Sequence, residues 1–127
     1  MAAYPKLLKQ AIIQGFMWEA EFSLTHCKKS AERNEVFIVA GCLTRIANDF
    51  VQVLYALNET HFLSEKRLYK EERALNIKPQ DFMLELDRMV GRIGETKPEL
   101  MAAVSMAEAL FEELKMLCGD LYRPRFR

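Results

Sequence analysis

The sequence predicts an all-α protein, an up-and-down four-helix bundle with one additional short helix. Only five glycines and four prolines interrupt its 127 residues, so long uninterrupted elements can form. The period-2 alternation that is typical of β-strands is absent, whereas apolar residues recur at three- and four-residue spacing. Because a chain of this length can bury one hydrophobic core, we expect residues 1–127 to form a single domain.

The first two long helices are predicted from their amphipathic pattern and their end signals. The first runs from about Pro5 to about Lys29, with the proline in the opening turn, where its missing N–H is not needed. The second runs from Glu35 to about Asn58, with Asn34 as its N-terminal cap. Apolar residues cover nearly every face of this second helix, so we expect it to be the centre of the bundle.

The second half of the chain predicts one short helix and two longer ones. The short helix spans about Ser64 to Leu75, and Pro79 helps to start the next one. That helix has an apolar face made of Phe82, Leu86, Met89, Val90 and Ile93. The last helix opens at Thr96 with the pattern of a capping box and ends before Gly119. Short connections favour antiparallel neighbours, which predicts the up-and-down topology.

Charge, cysteine content and hydropathy exclude several classes of protein. The 18 basic and 18 acidic residues cancel, so the sequence offers no direct evidence for nucleic-acid binding. Three widely spaced cysteines without metal-ligand spacing predict reduced, buried thiols and no metal site. The chain start lacks the signal-peptide pattern, and the longest apolar stretch contains Arg45 and Asp49, which are costly in lipid. We therefore expect a cytoplasmic protein that does not contact the membrane.

Glu19 is the first candidate functional residue, because it lies about 160° around the helix axis from Glu21, which is expected to face solvent. We therefore expect Glu19 to point inward, where an unpaired carboxylate would be costly. One interpretation is a structural ion pair or a position at the edge of the bundle. The other is a carboxylate that lines a cleft and binds a ligand or acts as a general base.

A polar stripe on the central helix provides the second group of candidates. It consists of Gly41, Arg45, Asn48, Asp49 and Gln52. Arg45 and Asp49 are spaced for an i, i+4 pair, and Arg45 could link Asp49 to Glu19 and fix the register of two helices. Alternatively the stripe lines a groove, and the small Gly41 lets a partner approach closely.

The segment that follows the central helix provides the third group. Glu65, Lys66 and Arg67 lie at the start of the short helix, and His61 precedes them. Lys66 and Arg67 could hold a phosphate or a carboxylate, but such charged runs are more often solvated surface. A lone histidine such as His61 is likewise more often a surface residue than a ligand.

Three strings in the chain resemble a known family. They are FMWEAEF (16–22), FIVAGCLTRIANDFVQVLYALNE (37–59) and FLSEKR (62–67). Together they resemble the C-terminal helical domain of bacterial minimal-nucleotidyltransferase-type proteins, which is distantly similar to the helical half of kanamycin nucleotidyltransferase. The resemblance extends from Tyr4 to the last helix, and its most specific part is Val39 to Lys66.

The resemblance implies an accessory, substrate-binding role for this chain. In that family a separate catalytic domain carries a G-S motif and paired aspartates that hold magnesium and the nucleoside triphosphate. Neither motif occurs here, so the catalytic domain would be a partner in cis or in trans, and this chain alone should not transfer nucleotides. The resemblance makes Glu19 a candidate catalytic base, and Glu65 and Lys66 contacts to the acceptor.

Two hypotheses follow, and a third, RNA cleavage, lacks the histidine that it requires. The first is a substrate-binding domain whose acceptor cleft contains Arg45, Asp49, Glu65 and Lys66 beside Glu19, and whose acceptor is a small molecule or a macromolecule. The second is a stand-alone interaction module that forms a homodimer or binds a protein through an apolar helix face. Related helical toxins cleave RNA with an arginine followed four to six residues later by histidine, but no histidine follows Arg45 at that spacing.

Overall fold

The computed structural model describes residues 3–124, and over this range the chain is all-α, as predicted. No strand occurs among these residues. The helices are α1 (Lys6–Glu32), α2 (Val36–Leu57), α3 (Leu68–Glu72), α4 (Phe82–Gly91) and α5 (Lys97–Cys118), and short 3-10 turns occupy Glu65–Arg67 and Gly119–Leu121. Helices α1, α2 and α5 pack against one another, and α4 packs against α5 and α2.

Asn34 ends α1 and does not cap α2, so its predicted role as the N-terminal cap of the second helix is wrong. The Asn34 backbone is left-handed, with φ of 59°, and its N–H donates to the Ala31 carbonyl oxygen at 3.0 Å. The Glu35 N–H donates to the Ser30 carbonyl oxygen, also at 3.0 Å. This is the Schellman pattern, which satisfies the last carbonyls of a helix. Asn34 therefore closes α1, whereas α2 begins after Glu35 without a side-chain cap.

Helix α2 lies at the centre of the core, in agreement with its nearly continuous apolar character. Its fully buried side chains include Val39, Leu43, Ile46, Phe50 and Leu54. By length and hydropathy alone the helix could cross a membrane, but half of its most apolar window is buried inside the protein. This burial is typical of the core helix of a soluble domain, which meets the same length and hydropathy criteria.

The segment between α2 and α4 contains less helix than predicted. In place of one helix from Ser64 to Leu75, a 3-10 turn leads into the five-residue α3, which ends at Glu72. The Lys78 ammonium donates both to the Glu72 carboxylate, at 2.6 Å, and to the Glu72 carbonyl oxygen, at 2.7 Å. Lys78 thereby satisfies a carbonyl at the C-terminus of α3, where a positive charge is favourable.

Helix α4 begins later and ends earlier than the apolar pattern indicates. Asp81 precedes it in the left-handed conformation, with φ of 56°, so the helix starts at Phe82 and not at Pro79. The helix ends at Gly91, and Ile93 packs against the core from the following loop.

Helix α5 has both of its predicted end signals. The Glu99 N–H donates to the Thr96 hydroxyl, and the Thr96 N–H donates to the Glu99 carboxylate at 3.1 Å, which completes the capping box. Gly119 follows the helix with φ of 54°, a conformation that glycine adopts without strain.

The chain after α5 folds back onto α1. The Gln14 amide donates to the Arg123 carbonyl oxygen at 2.9 Å and accepts from the Arg123 N–H at 2.9 Å. Tyr122 is buried, and its hydroxyl donates to the Glu21 carboxylate. Gln14 and Glu21 are polar residues of α1, so this helix binds the end of the described chain through two polar side chains.

Candidate functional site

Two carboxyl groups from different helices meet between α1 and α2. Glu19 of α1 lies close enough to Asp49 of α2 for its negative charge to act on the Asp49 carboxyl group. Asp49 is only 2% exposed, whereas Glu19 is exposed. The inward orientation expected for Glu19 is therefore wrong. Its side chain lies at the edge of the helix pair, which was the alternative position.

Asp49 has an unusual environment for a carboxyl group. Its Oδ2 atom is buried and has no hydrogen-bond partner among residues 3–124. Burial raises the pKa of Asp49 to about 7, together with the negative charge of Glu19 and the hydrogen bond between the two groups, while the positive charge of Arg45 opposes the shift. Near neutral pH the Asp49 carboxyl group can therefore take up or release a proton.

A shallow groove runs along α1 next to this pair. One part, with a volume of about 330 Å³, is lined by Ala11, Ile12, Gly15, Phe16 and Glu19. A second part, of about 210 Å³, also contacts Ile12 and extends to residues that include Tyr4, Gln52, His61 and Phe62. Ile12 lines both parts, and together they form what we call the α1/α2 groove. The groove has the Glu19 carboxylate at one end and aromatic rings at the other.

The aromatic end of the α1/α2 groove forms where the chain after α2 returns to the start of α1. The ring centroids of Tyr4 and His61 lie 4.8 Å apart, and Lys9 pairs with Glu59 at 3.2 Å. Glu59 itself has a left-handed backbone, with φ of 50°, which turns the chain back. Sequence reasoning did not select Tyr4, since this residue precedes the first helix and only tertiary folding brings it to His61.

Arg45 lies near the carboxyl pair without bonding to it. Its side chain is exposed, and its Nη2 donates to the Cys42 sulfur at 3.4 Å. Within the described range the direct ion pair expected between Arg45 and Asp49 does not form. Arg45 therefore acts on the carboxyl pair through its charge, and it does not link Asp49 and Glu19 as a structural bridge.

Glu65 and Lys66 are placed elsewhere. Both are exposed in the 3-10 turn that precedes α3. Lys66 lines a separate depression with Arg67, Lys70, Glu71 and Ala74. The five predicted site residues thus fall into two places, with Glu19, Arg45 and Asp49 together and Glu65 and Lys66 apart from them.

The cysteines are reduced and buried, as the sequence predicts. Cys27, Cys42 and Cys118 are free thiols. Burial raises the pKa of Cys27 and of Cys118 to about 12, so neither thiol is a nucleophile at neutral pH. In the part of the chain from 3 to 124, no group of three or more cysteine, histidine or carboxylate side chains is arranged to hold a metal ion.

A further depression, of about 490 Å³, lies between α1 and α5. Its lining includes Glu21, Glu32, Glu108 and Glu112, together with Lys28 and Lys29. The lysines offset part of the carboxylate charge, and the Glu21 carboxylate accepts the Tyr122 hydroxyl. The α1/α2 groove remains the better candidate, because its lining includes Glu19, the exposed neighbour of the buried Asp49.

Comparison of the chain with known protein families, with curated proteins and with solved structures found no match. The likeness to the helical domain of nucleotidyltransferases therefore rests on the three sequence strings alone.

Proposed function

We propose that this chain is the accessory, substrate-binding helical domain of a nucleotidyltransferase and that its acceptor binds in the α1/α2 groove. The carboxyl pair carries this proposal. Glu19 is exposed and lines the groove, and it lies beside Asp49, whose buried Oδ2 has no hydrogen-bond partner among residues 3–124. Glu19 lies on the open side of the pair, where it can contact a ligand and accept its proton.

The division of labour follows from the residues that are present. Glu19 is the candidate base, Asp49 is the buried carboxyl group behind it, and the positive charge of Arg45 opposes the rise in the pKa of Asp49. Magnesium and the nucleoside triphosphate would bind the catalytic domain, supplied in cis or in trans, because this chain has no G-S or D-x-D motif. The up-and-down order of the four long helices and a cytoplasmic location belong to the same proposal.

The first experiment is a thermal-shift screen with small polyhydroxylated compounds, amines and aminoglycosides. A ligand that binds only the folded chain raises its melting temperature. We expect a shift that Glu19→Gln and Asp49→Asn each reduce and that Glu112→Gln, a matched change on the exposed face of α5, leaves unchanged. A shift that survives both groove variants, or no shift with any compound, would contradict acceptor binding in the groove.

A second candidate function, a homodimerisation or protein-interaction module, is favoured by two helical glycines, Gly15 in α1 and Gly41 in α2. A Cβ at Gly15 would meet no atom within 4 Å, and one at Gly41 would meet only Arg45, at 3.5 Å. Neither glycine is needed for packing inside the chain, although each lowers helix stability. Phe37, four residues before Gly41, is 87% exposed. Sedimentation of the wild type and of Phe37→Ser distinguishes the functions, since a dimer that dissociates in the variant supports the interaction module.

A further inference from the structure

The fold separates positive from negative charge along the segment that contains the 3-10 turn and α3. In the sequence, basic and acidic residues are mixed from 65 to 73. In the structure, Glu71 accepts the Tyr55 hydroxyl at 2.9 Å, and Glu72 is buried and pairs with Lys78. Tyr55 and Lys78 thus engage two of the carboxylates. Glu65 is the one acidic residue of the segment that is exposed.

The cations of the same segment remain on the outside. The side chains of Lys66, Arg67, Lys70 and Arg73 are exposed, and none of them forms an ion pair within the described range of the chain. Lys66 and Lys70, and likewise Arg67 and Lys70, are neighbours at helical spacing, where like charges repel. The described part of the chain therefore leaves these four positive charges exposed.

Three of these cations surround a depression of about 520 Å³. Lys66, Arg67 and Lys70 line it, with Glu71 and Ala74. Of the other lining residues, Ala74 is small and uncharged, and the Glu71 carboxylate accepts the Tyr55 hydroxyl. Burial and this hydrogen bond raise the pKa of Tyr55 to about 12, so its hydroxyl keeps its proton and remains the donor at neutral pH.

We propose that this depression binds a compact oligophosphate, such as inorganic tripolyphosphate or the triphosphate group of a nucleotide. An arginine guanidinium bonds two phosphate oxygens at once, and lysine ammonium groups add mobile point charges. A compact anion fits better than a nucleic acid, because the cations lie within two helical turns and the chain as a whole has no net charge. This site is independent of the acceptor proposed for the α1/α2 groove.

The test is calorimetric titration of the full chain with sodium tripolyphosphate at low and at moderate ionic strength. We expect saturable binding that weakens as salt rises. The triple variant Lys66→Ala, Arg67→Ala, Lys70→Ala should weaken binding by about tenfold or more. The charge-conserving variant Lys66→Arg, Arg67→Lys, Lys70→Arg should bind within about threefold of wild type.

The matched control removes three exposed cations from the end of α1, as Lys28→Ala, Lys29→Ala, Arg33→Ala. It should change the affinity by less than about twofold. Equal losses in the two alanine variants, or no binding by wild type, would overturn the proposal. A single-stranded oligonucleotide that binds more tightly than tripolyphosphate would replace it with a nucleic-acid surface.

Parallel titrations with ATP and GTP distinguish the source of the oligophosphate. Affinities equal to that of tripolyphosphate mean that the anion alone is recognised, whereas tighter binding of one nucleotide means that its base is also contacted. Both results support the shared phosphate chemistry.

Discussion

Asn58 and Ile77 hold the end of α2 to the loop before α4 through a pair of hydrogen bonds. The Asn58 Nδ2 donates to the Ile77 carbonyl oxygen at 2.8 Å, and its Oδ1 accepts from the Ile77 N–H at 2.9 Å. The same side chain also donates to Leu54 and accepts from Asn76. One amide thus organises the return of the chain toward α4.

We predict that Asn58→Ala lowers the free energy of unfolding by about 2 kcal/mol, because it leaves backbone groups at both ends of this link without partners. Urea unfolding measures the change, and hydrogen exchange should show faster exchange of the Ile77 amide. Asn58→Asp keeps the acceptor but sets a carboxylate oxygen against the Leu54 and Ile77 carbonyl oxygens, so it should also lower stability. If the alanine variant is as stable as wild type, the loop is held by other contacts.

The carboxyl pair predicts a pH dependence of stability. The pKa of Asp49 is about 7 in the folded state and about 4 in an unfolded chain. Between these values the folded chain holds a proton that the unfolded chain has lost. The contribution of Asp49 is therefore fully present below about pH 4 and is lost as the pH rises through about 7, by up to about 4 kcal/mol.

We therefore predict that Asp49→Asn flattens the fall in stability between about pH 5 and pH 8 and makes the chain more stable than wild type at pH 8. Urea unfolding of both proteins across this range measures the effect. Glu112→Gln should leave the wild-type slope unchanged. An identical slope in Asp49→Asn and wild type would show that Asp49 titrates normally.

We predict that the ion pair between Lys78 and Glu72 gives a large coupling free energy in protein stability. Lys78→Met leaves a carboxylate that is 9% exposed without its partner, and we expect a loss of about 3 kcal/mol. The double variant Glu72→Gln, Lys78→Met should lose less than Lys78→Met alone, because no unpaired charge is then buried. A double-mutant cycle by chemical denaturation gives the coupling energy, and additive losses would contradict a direct pair.

The helical glycines predict a gain in stability. Gly15→Ala and Gly41→Ala should each stabilise the chain by about 0.5 to 1 kcal/mol, because alanine restricts the unfolded chain and finds room in the helix. Gly94→Ala is the contrasting control, since its φ is 75° and a Cβ there would lie 2.6 Å from Glu99. Thermal unfolding should order the variants accordingly. Destabilisation by Gly15→Ala would mean that its surroundings are more crowded than the structure indicates.

The sequence by itself determined the all-α class, the central place of α2, the capping box at Thr96 and the stop at Gly119. These features depend on local periodicity and on residues within one or two turns, which can be read along the chain. The Asn34 turn shows the limit of such signals, because asparagine suits both the start and the end of a helix. Only the geometry of the neighbouring carbonyls decided between these roles.

The tertiary structure alone decided how the polar residues are combined. Helix phase predicted an inward Glu19, but the packing of α1 on α2 left it exposed beside a buried Asp49. Because Glu72 pairs with Lys78 and Glu71 accepts the Tyr55 hydroxyl, a segment of mixed charge presents a cluster of cations on the outside. Such outcomes depend on contacts between residues that are distant in sequence, and the free energy of each charge depends on the burial that those contacts create.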